Sequence, residues 1–82
     1  MAPTVLKEGP YRVYFVSHDL QEPVHVHVDR DDCSAKFWLT PVSLARNIGF
    51  APVELRKIEA LVLDKVDQLL EAWNGHPGSS GR

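Results

Sequence analysis

One stretch of the sequence, residues 22–39 (EPVHVHVDRDDCSAKFWL), constrains the fold more than any other. Valine alternates with polar residues through its first half, and after a polar turn Ala35, Phe37 and Leu39 resume the alternation. This period-2 pattern predicts two antiparallel strands joined by a turn. With Val28 opposite Ala35, one face of the hairpin is wholly apolar. Burial of that face fixes the register, because a slip of one residue would mix the two faces.

The polar residues of the hairpin fall together on the opposite side of the sheet, called the outer face below. The same register places His25 opposite Trp38 and His27 opposite Lys36, and the alternation of residues 11–17 adds two residues from a further strand. We therefore predict a binding face on this side, with His18 and Asp29 at its edges, composed of Arg12, Tyr14, His25, His27, Lys36 and Trp38.

The segments around the hairpin predict a small α+β domain. Residues 11–17 form a strand because β-branched and aromatic residues run there without a breaker. Residues 4–6 and 42–46 are candidates for short extra strands, with a helical turn as the alternative for 42–46. The prediction is an antiparallel sheet of three to four strands with one long C-terminal helix packed on one face. Residues 1–74 form one domain, and residues 75–82, rich in Gly and Ser, form a flexible tail.

The C-terminal helix is predicted from about residue 52 to residue 74. Proline at its first position and Asn74-Gly75 at its end suit the two termini of a helix. Its apolar residues recur with the helical period and are expected to cross the valine face of the sheet: Leu55, Ile58, Val62, Val66, Leu69 and Trp73.

Two further leucines, Leu63 and Leu70, lie beside this stripe and widen the apolar arc. In one interpretation, residues 41–50 or the N-terminus cover them. In the other, they form an interface with a partner protein or with a second copy of the chain.

Composition narrows the class of protein. Nine Lys and Arg residues against eleven Asp and Glu give a net charge of −2, which argues against a protein that coats nucleic acid but leaves room for a local basic patch. The single cysteine, Cys33, cannot form an internal disulfide and is expected to be an exposed, unreactive thiol in the hairpin turn. No signal peptide or long apolar run is visible, so a cytoplasmic protein without a membrane segment is expected.

A metal site is one interpretation of the outer face. His25 and His27 project to the same side of a strand, and Asp29 adds an oxygen ligand, so the three residues form a set that zinc accepts. A flat row of strand residues needs a ligand from another segment to close a tetrahedron, and His18 is the histidine available. The expectation is that no cofactor binds, with zinc as the candidate if one does.

The outer face has two other interpretations. In the first, it binds or cleaves RNA without a metal: His25 or His27 carries a proton, Arg12 or Lys36 contacts phosphate, and an aromatic platform stacks on bases. In the second, it is an ordinary solvated sheet surface, which polar alternation also produces. The residues by themselves leave all three interpretations open.

Several segments carry a resemblance to a known family: PTV near the start, YRVYF, EPVHVHV, SAKFWL followed by Pro41-Val42, LARNIGF, VELRKIE and LLEAWN. Together they resemble DUF4160, a family of small bacterial domains of unknown function, from about residue 3 to residue 74. Family members often carry a serine before the helix, so Ala51 departs from the pattern and weakens the helix cap.

The resemblance implies no established reaction, but it does imply a genetic setting. Relatives look like stand-alone bacterial or phage-associated proteins, often encoded beside another small protein, which suggests a toxin–antitoxin-like pair. We therefore expect an interaction module that binds a cognate protein or forms a homodimer, with RNA as a further candidate ligand. The alternative is a small hydrolase or nuclease, or a metal-binding protein, that uses His25 and His27.

Overall fold

The computed structural model describes residues 4–15 and 22–75. It confirms an α+β domain with one antiparallel sheet and one C-terminal helix. The sheet has five strands in chain order, so the predicted three to four is too low. Both segments that the sequence left as optional strands join the sheet. The elements are β1 Thr4–Glu8, β2 Tyr11–Tyr14, β3 His25–Arg30, β4 Cys33–Leu39, β5 Val42–Ile48 and α1 Pro52–Gly75.

The central hairpin of β3 and β4 has the predicted register. Val26 lies opposite Phe37 and His25 lies opposite Trp38. The Leu39 amide donates to the carbonyl oxygen of Val24 at 3.1 Å, which continues the pairing beyond the end of β3. Burial of the valine face therefore sets the register, as expected.

The edges of the sheet differ from the prediction. β1 continues beyond the predicted residue 6 to Glu8, and β5 continues beyond the predicted residue 46 to Ile48 through a register shift against β4. The side chains of both extensions alternate only weakly between apolar and polar. Backbone pairing with the neighbouring strand therefore forms these extensions, and the sequence pattern does not reveal them. β2 ends at Tyr14, and the described residues of this segment stop at Phe15, so residues 16 and 17 of the predicted strand and His18 lie outside the described residues.

The core lies between the sheet and α1. The helical stripe is confirmed: the side chains of Ile58, Val62 and Leu69 are fully buried, and those of Leu55, Val66 and Trp73 are partly buried against the core. The helix ends at Gly75, and the remainder of the predicted tail, residues 76–82, lies outside the described residues. No helix in the described part of the chain is long and apolar enough to cross a membrane. The sheet contributes Tyr11, Val13, Val26, Val28, Ala35, Phe37 and Leu39 to the core, and Phe15, directly after β2, joins them.

A polar cluster joins the first turn of α1 to the sheet. Arg30 donates to both carboxylate oxygens of Glu54, from Nε at 2.6 Å and from Nη2 at 2.8 Å, and the Tyr11 hydroxyl donates to the same carboxylate at 2.8 Å. The hydrogen bonds from Arg30 and then from Tyr11 hold the pKa of Glu54 below its ordinary value. Burial, followed by the hydrogen bond to Glu54, raises the pKa of Tyr11. The cluster fixes the start of α1, where Ala51 offers no side-chain cap.

A second polar contact orders the turn that precedes α1. Asn47 Oδ1 accepts from the Phe50 amide at 3.0 Å, and Asn47 Nδ2 donates to the Phe50 carbonyl oxygen at 3.0 Å. Between them, Gly49 has a φ of 95°. The turn thereby directs the helix to the apolar side of the sheet.

Candidate functional site

The residues of the predicted binding face do lie on one side of the sheet. Arg12 pairs with Asp29 and Tyr14 pairs with His27 across β2 and β3. His27 pairs in turn with Lys36 on β4. Because side chains alternate along each strand, these paired positions share the outer face.

Tyr14 lies between a cation and a carboxylate on this face. The Arg12 guanidinium carbon lies 4.7 Å from the centroid of the Tyr14 ring. The Tyr14 hydroxyl donates to Asp29 Oδ2 at 2.9 Å. Burial, followed by this hydrogen bond, raises the pKa of Tyr14. The other carboxylate oxygen, Asp29 Oδ1, is buried and has no hydrogen-bond partner within the described part of the chain.

The two histidines have different environments, although the sequence pattern treats them alike. His27 is partly exposed, and its ring stacks on Tyr14 at 5.3 Å between centroids with 20° between the planes. His25 is 0% exposed, and its ring is perpendicular to that of Trp38 and tilted against that of Trp73, which comes from the end of α1.

His25 is also held by the backbone. Its Nδ1 lies 2.8 Å from the carbonyl oxygen of Pro23, which can only accept, so the hydrogen is on Nδ1. The sequence placed both histidines on a solvent-facing surface, and the structure buries His25 instead. Solvent reaches His27, which is therefore the better placed of the two for chemistry.

Lys36 connects the aromatic part of the face to a depression beside it. Its Nζ lies 4.8 Å from the centroid of the Trp38 ring and forms an ion pair with Glu22. The depression has a volume of about 220 Å³ and lies where β3, β4 and β5 adjoin. Its polar lining consists of Glu22, His27, Ser34, Lys36 and Arg46.

The predicted metal ligands do not assemble into a metal site in the described part of the chain. There, no group of three or more His, Cys, Asp and Glu side chains is arranged to hold a metal ion. Of the candidate set, Nδ1 of His25 faces the Pro23 carbonyl, and Asp29 accepts from Tyr14. His18, the proposed fourth ligand, lies outside the described residues.

Sequence reasoning missed two cations of the outer face and the cluster at the start of the helix. Lys7 pairs with Arg12 across β1 and β2, and Arg46 pairs with Lys36 across β4 and β5. Continuing the alternation one residue beyond Leu6 would have placed Lys7 on the outer face. For Arg46 the alternation with Val42 and Leu44 points to the apolar face instead, and the register shift between β4 and β5 brings Arg46 to the outer face. The pairing of Arg30 with Glu54 has no local sequence signal, because it joins a hairpin to a helix.

The two leucines of the predicted partner interface differ in their exposure to solvent. Leu63 is 54% exposed, whereas Leu70 is partly buried and packs against the core. Exposed apolar side chains also occur elsewhere, at Leu44 and Ile48 on β5 and at Val53 on α1. Cys33 is partly buried at the start of β4, with its Sγ 4.0 Å from Arg30 Nη2, and was expected to be exposed.

Comparison with known proteins identifies a family for most of the chain. The family model described as Domain of unknown function (DUF4160) matches residues 11–74, which span β2 to the end of α1. No curated protein and no solved structure matches the chain. The matched region contains the central hairpin, the outer face except Lys7, and the polar cluster at the start of the helix.

Proposed function

We propose that this chain, which belongs to the family of the Domain of unknown function (DUF4160), is a cytoplasmic interaction module of toxin–antitoxin type that binds a partner protein and single-stranded RNA. The pairing of cations with aromatic rings on the outer face carries the RNA part of the proposal. Arg12 lies over Tyr14 at 4.7 Å, and Lys36 lies over Trp38 at 4.8 Å. Single-stranded RNA is bound by such combinations, because bases stack on rings while cations contact phosphates.

The distribution of charge supports the same face. The helix, residues 52–75, contains five acidic and three basic residues, so its net charge of −2 equals that of the whole chain. The rest of the chain is balanced. Four cations, Lys7, Arg12, Lys36 and Arg46, occupy outer-face positions, against the carboxylates of Asp29 and Glu22. A polyanion would therefore approach the sheet rather than the helix.

Fluorescence anisotropy with a labelled single-stranded oligouridine at low salt tests the RNA part. We expect Trp38→Ala to weaken binding by roughly 5- to 100-fold, the range for losing one stacked base. Arg12→Ala should also weaken binding and should reduce its salt dependence. Arg56→Ala is the matched control, since it removes an exposed arginine from the helix and should leave affinity unchanged. Wild-type protein that binds no RNA at low salt would contradict the proposal.

The partner-binding part is assigned to the helix flank around Leu63, which is 54% exposed. A partner that covers this leucine, either a second copy of the chain or a small cognate protein, should no longer bind after Leu63→Asp. Val53→Asp is the control, because Val53 is 67% exposed on the same helix. Analytical ultracentrifugation of wild type and of each variant, alone and with a candidate cognate protein, measures the complex. Unchanged association of Leu63→Asp would contradict the assignment.

A second candidate function is hydrolysis of a phosphodiester by the same face. It is favoured by the position of His27 in the depression, beside two cations, Lys36 and Arg46. In this role His27 transfers the proton and the cations hold the phosphate. Alanine at His27 should then abolish RNA cleavage and leave the melting temperature nearly unchanged. RNA that stays intact with wild-type protein, both with and without added zinc, would contradict this candidate.

A further inference from the structure

The depression between β3, β4 and β5 differs from the aromatic part of the outer face in its size and charge. Its volume of about 220 Å³ is below the roughly 300–1,000 Å³ of pockets that enclose a whole small-molecule ligand. It can accommodate a small group that belongs to a larger molecule. Its polar lining also includes a hydroxyl group, from Ser34.

The two cations that line the depression, Lys36 and Arg46, differ in whether a carboxylate pairs with them. Lys36 is neutralised by Glu22, and the side chains of the two residues are 19% and 46% exposed. Arg46, paired with Lys36 across the strands, makes no salt bridge within the described part of the chain. Glu22 supplies the carboxylate of the lining, so the depression carries an excess of positive charge.

We propose that this depression binds a phosphate group of the RNA backbone, and that Glu22 occupies Lys36 until the phosphate displaces it. The inference rests on the proposed RNA binding and adds the contact that the backbone makes. The planar guanidinium of Arg46 suits two phosphate oxygens, and the ammonium of Lys36 adds a point charge. Exchange is feasible because ion pairs between partly exposed side chains contribute little to stability.

Substitution of Glu22 should change the affinity for phosphate in the opposite direction to substitution of Lys36 or Arg46. A carboxylate that competes with the phosphate weakens binding in the wild-type protein. Glu22→Gln removes the negative charge and keeps the size of the side chain. This substitution should tighten phosphate binding, whereas Lys36→Ala and Arg46→Ala should weaken it. A purely structural ion pair would not give this reversal.

The test is a two-dimensional NMR titration of the wild-type chain and these variants with inorganic phosphate, followed by oligouridine. We expect phosphate to shift the amide signals of Ser34, Lys36 and Arg46, and Glu22→Gln to bind it several-fold more tightly. Lys36→Ala and Arg46→Ala should lose most of the shift, and each should reduce the salt slope of RNA binding by about 1. Lys57→Ala and Arg56→Ala are the charge-matched controls on the helix. Arg46→Lys separates loss of charge from loss of the planar fork.

The outcomes distinguish this inference from the proposed function. RNA binding that depends on Trp38 but not on Lys36 or Arg46 overturns the phosphate site and leaves the RNA role standing. Phosphate shifts in the depression without RNA binding support the anion site and overturn the RNA role. Phosphate that shifts no signal in the depression, or Glu22→Gln that binds no more tightly than wild type, overturns the inference. Thermal melts of every variant verify that the fold is retained.

Discussion

Arg30 holds Glu54 with two hydrogen bonds, 2.6 Å and 2.8 Å long, and so ties the end of the central hairpin to the first turn of the helix. The Arg30 guanidinium also lies 5.6 Å from the centroid of the Phe50 ring, which is buried just before the helix. The two hydrogen bonds are bidentate, from two guanidinium nitrogens to the two carboxylate oxygens. A guanidinium and a carboxylate pair in this way in only a few arrangements, so the contact fixes the orientation of the helix relative to the hairpin. The helix start therefore depends on the hairpin.

This pairing predicts a pH dependence of stability. The folded-state pKa of Glu54 is lowered from its ordinary 4.5, so the carboxylate stabilises the fold above that pH and the contribution is lost as the pH falls through the lower, folded value. Glu54→Gln should lower the melting temperature by several degrees at pH 7, and the difference from wild type should shrink below about pH 4.5. Thermal melts from pH 7 to pH 3 measure this. Glu71→Gln, on the exposed side of the helix, should show no such trend.

The contact between sheet and helix predicts a contrast within α1. Ile58 is 0% exposed, so Ile58→Ala should lower the free energy of unfolding by about 2–5 kcal/mol through lost burial and a residual cavity. Leu63, 54% exposed on the same helix, is the matched control. Leu63→Ala should change the free energy of unfolding by no more than about 0.5 kcal/mol. Urea denaturation followed by circular dichroism measures both. Equal losses would mean that the helix packs through a different face.

Two glycines with positive φ predict a graded effect. Gly9 has a φ of 57° with open space around it, so Gly9→Ala carries backbone strain alone, about 1–2 kcal/mol. Gly49 has a φ of 95°, and an added Cβ would lie 3.0 Å from Cys33 Sγ, so Gly49→Ala should be more destabilising than Gly9→Ala. Chemical denaturation of the two variants compares them. If both variants lose the same stability, the approach of Cys33 is unimportant.

The two histidines should respond differently to substitution. His25 is fully buried and bonded to the backbone, so His25→Ala should lower the free energy of unfolding by about 2 kcal/mol or more. His27 is partly exposed, and His27→Ala should lower it by no more than about 1 kcal/mol while weakening RNA binding. Denaturation curves and anisotropy titrations on the same samples separate stability from binding. A fully stable His25→Ala protein would show that the imidazole is not part of the packing.

The sequence alone determined the elements with strong local periods. The alternation of valines with polar residues set the register of β3 and β4, because a slipped hairpin would expose its apolar face. The helical recurrence from Leu55 to Trp73 set which side of α1 is buried. Each of these patterns lies within one helix or between two strands joined by a tight turn, so it is visible in the local sequence.

The tertiary structure decided what the outer face contains. It buried His25 against Trp73, left His27 accessible, and brought Arg46 to Lys36 by adding β5 to the sheet. It also paired Arg30 with Glu54. Arg46 faces Lys36 because of the register shift between β4 and β5, which simple alternation does not show. The contacts of His25 with Trp73 and of Arg30 with Glu54 join residues far apart in the chain, and their side chains carry no periodic signal that points to one another. Such pairs form only when the packing of the helix on the sheet has fixed the distance between them.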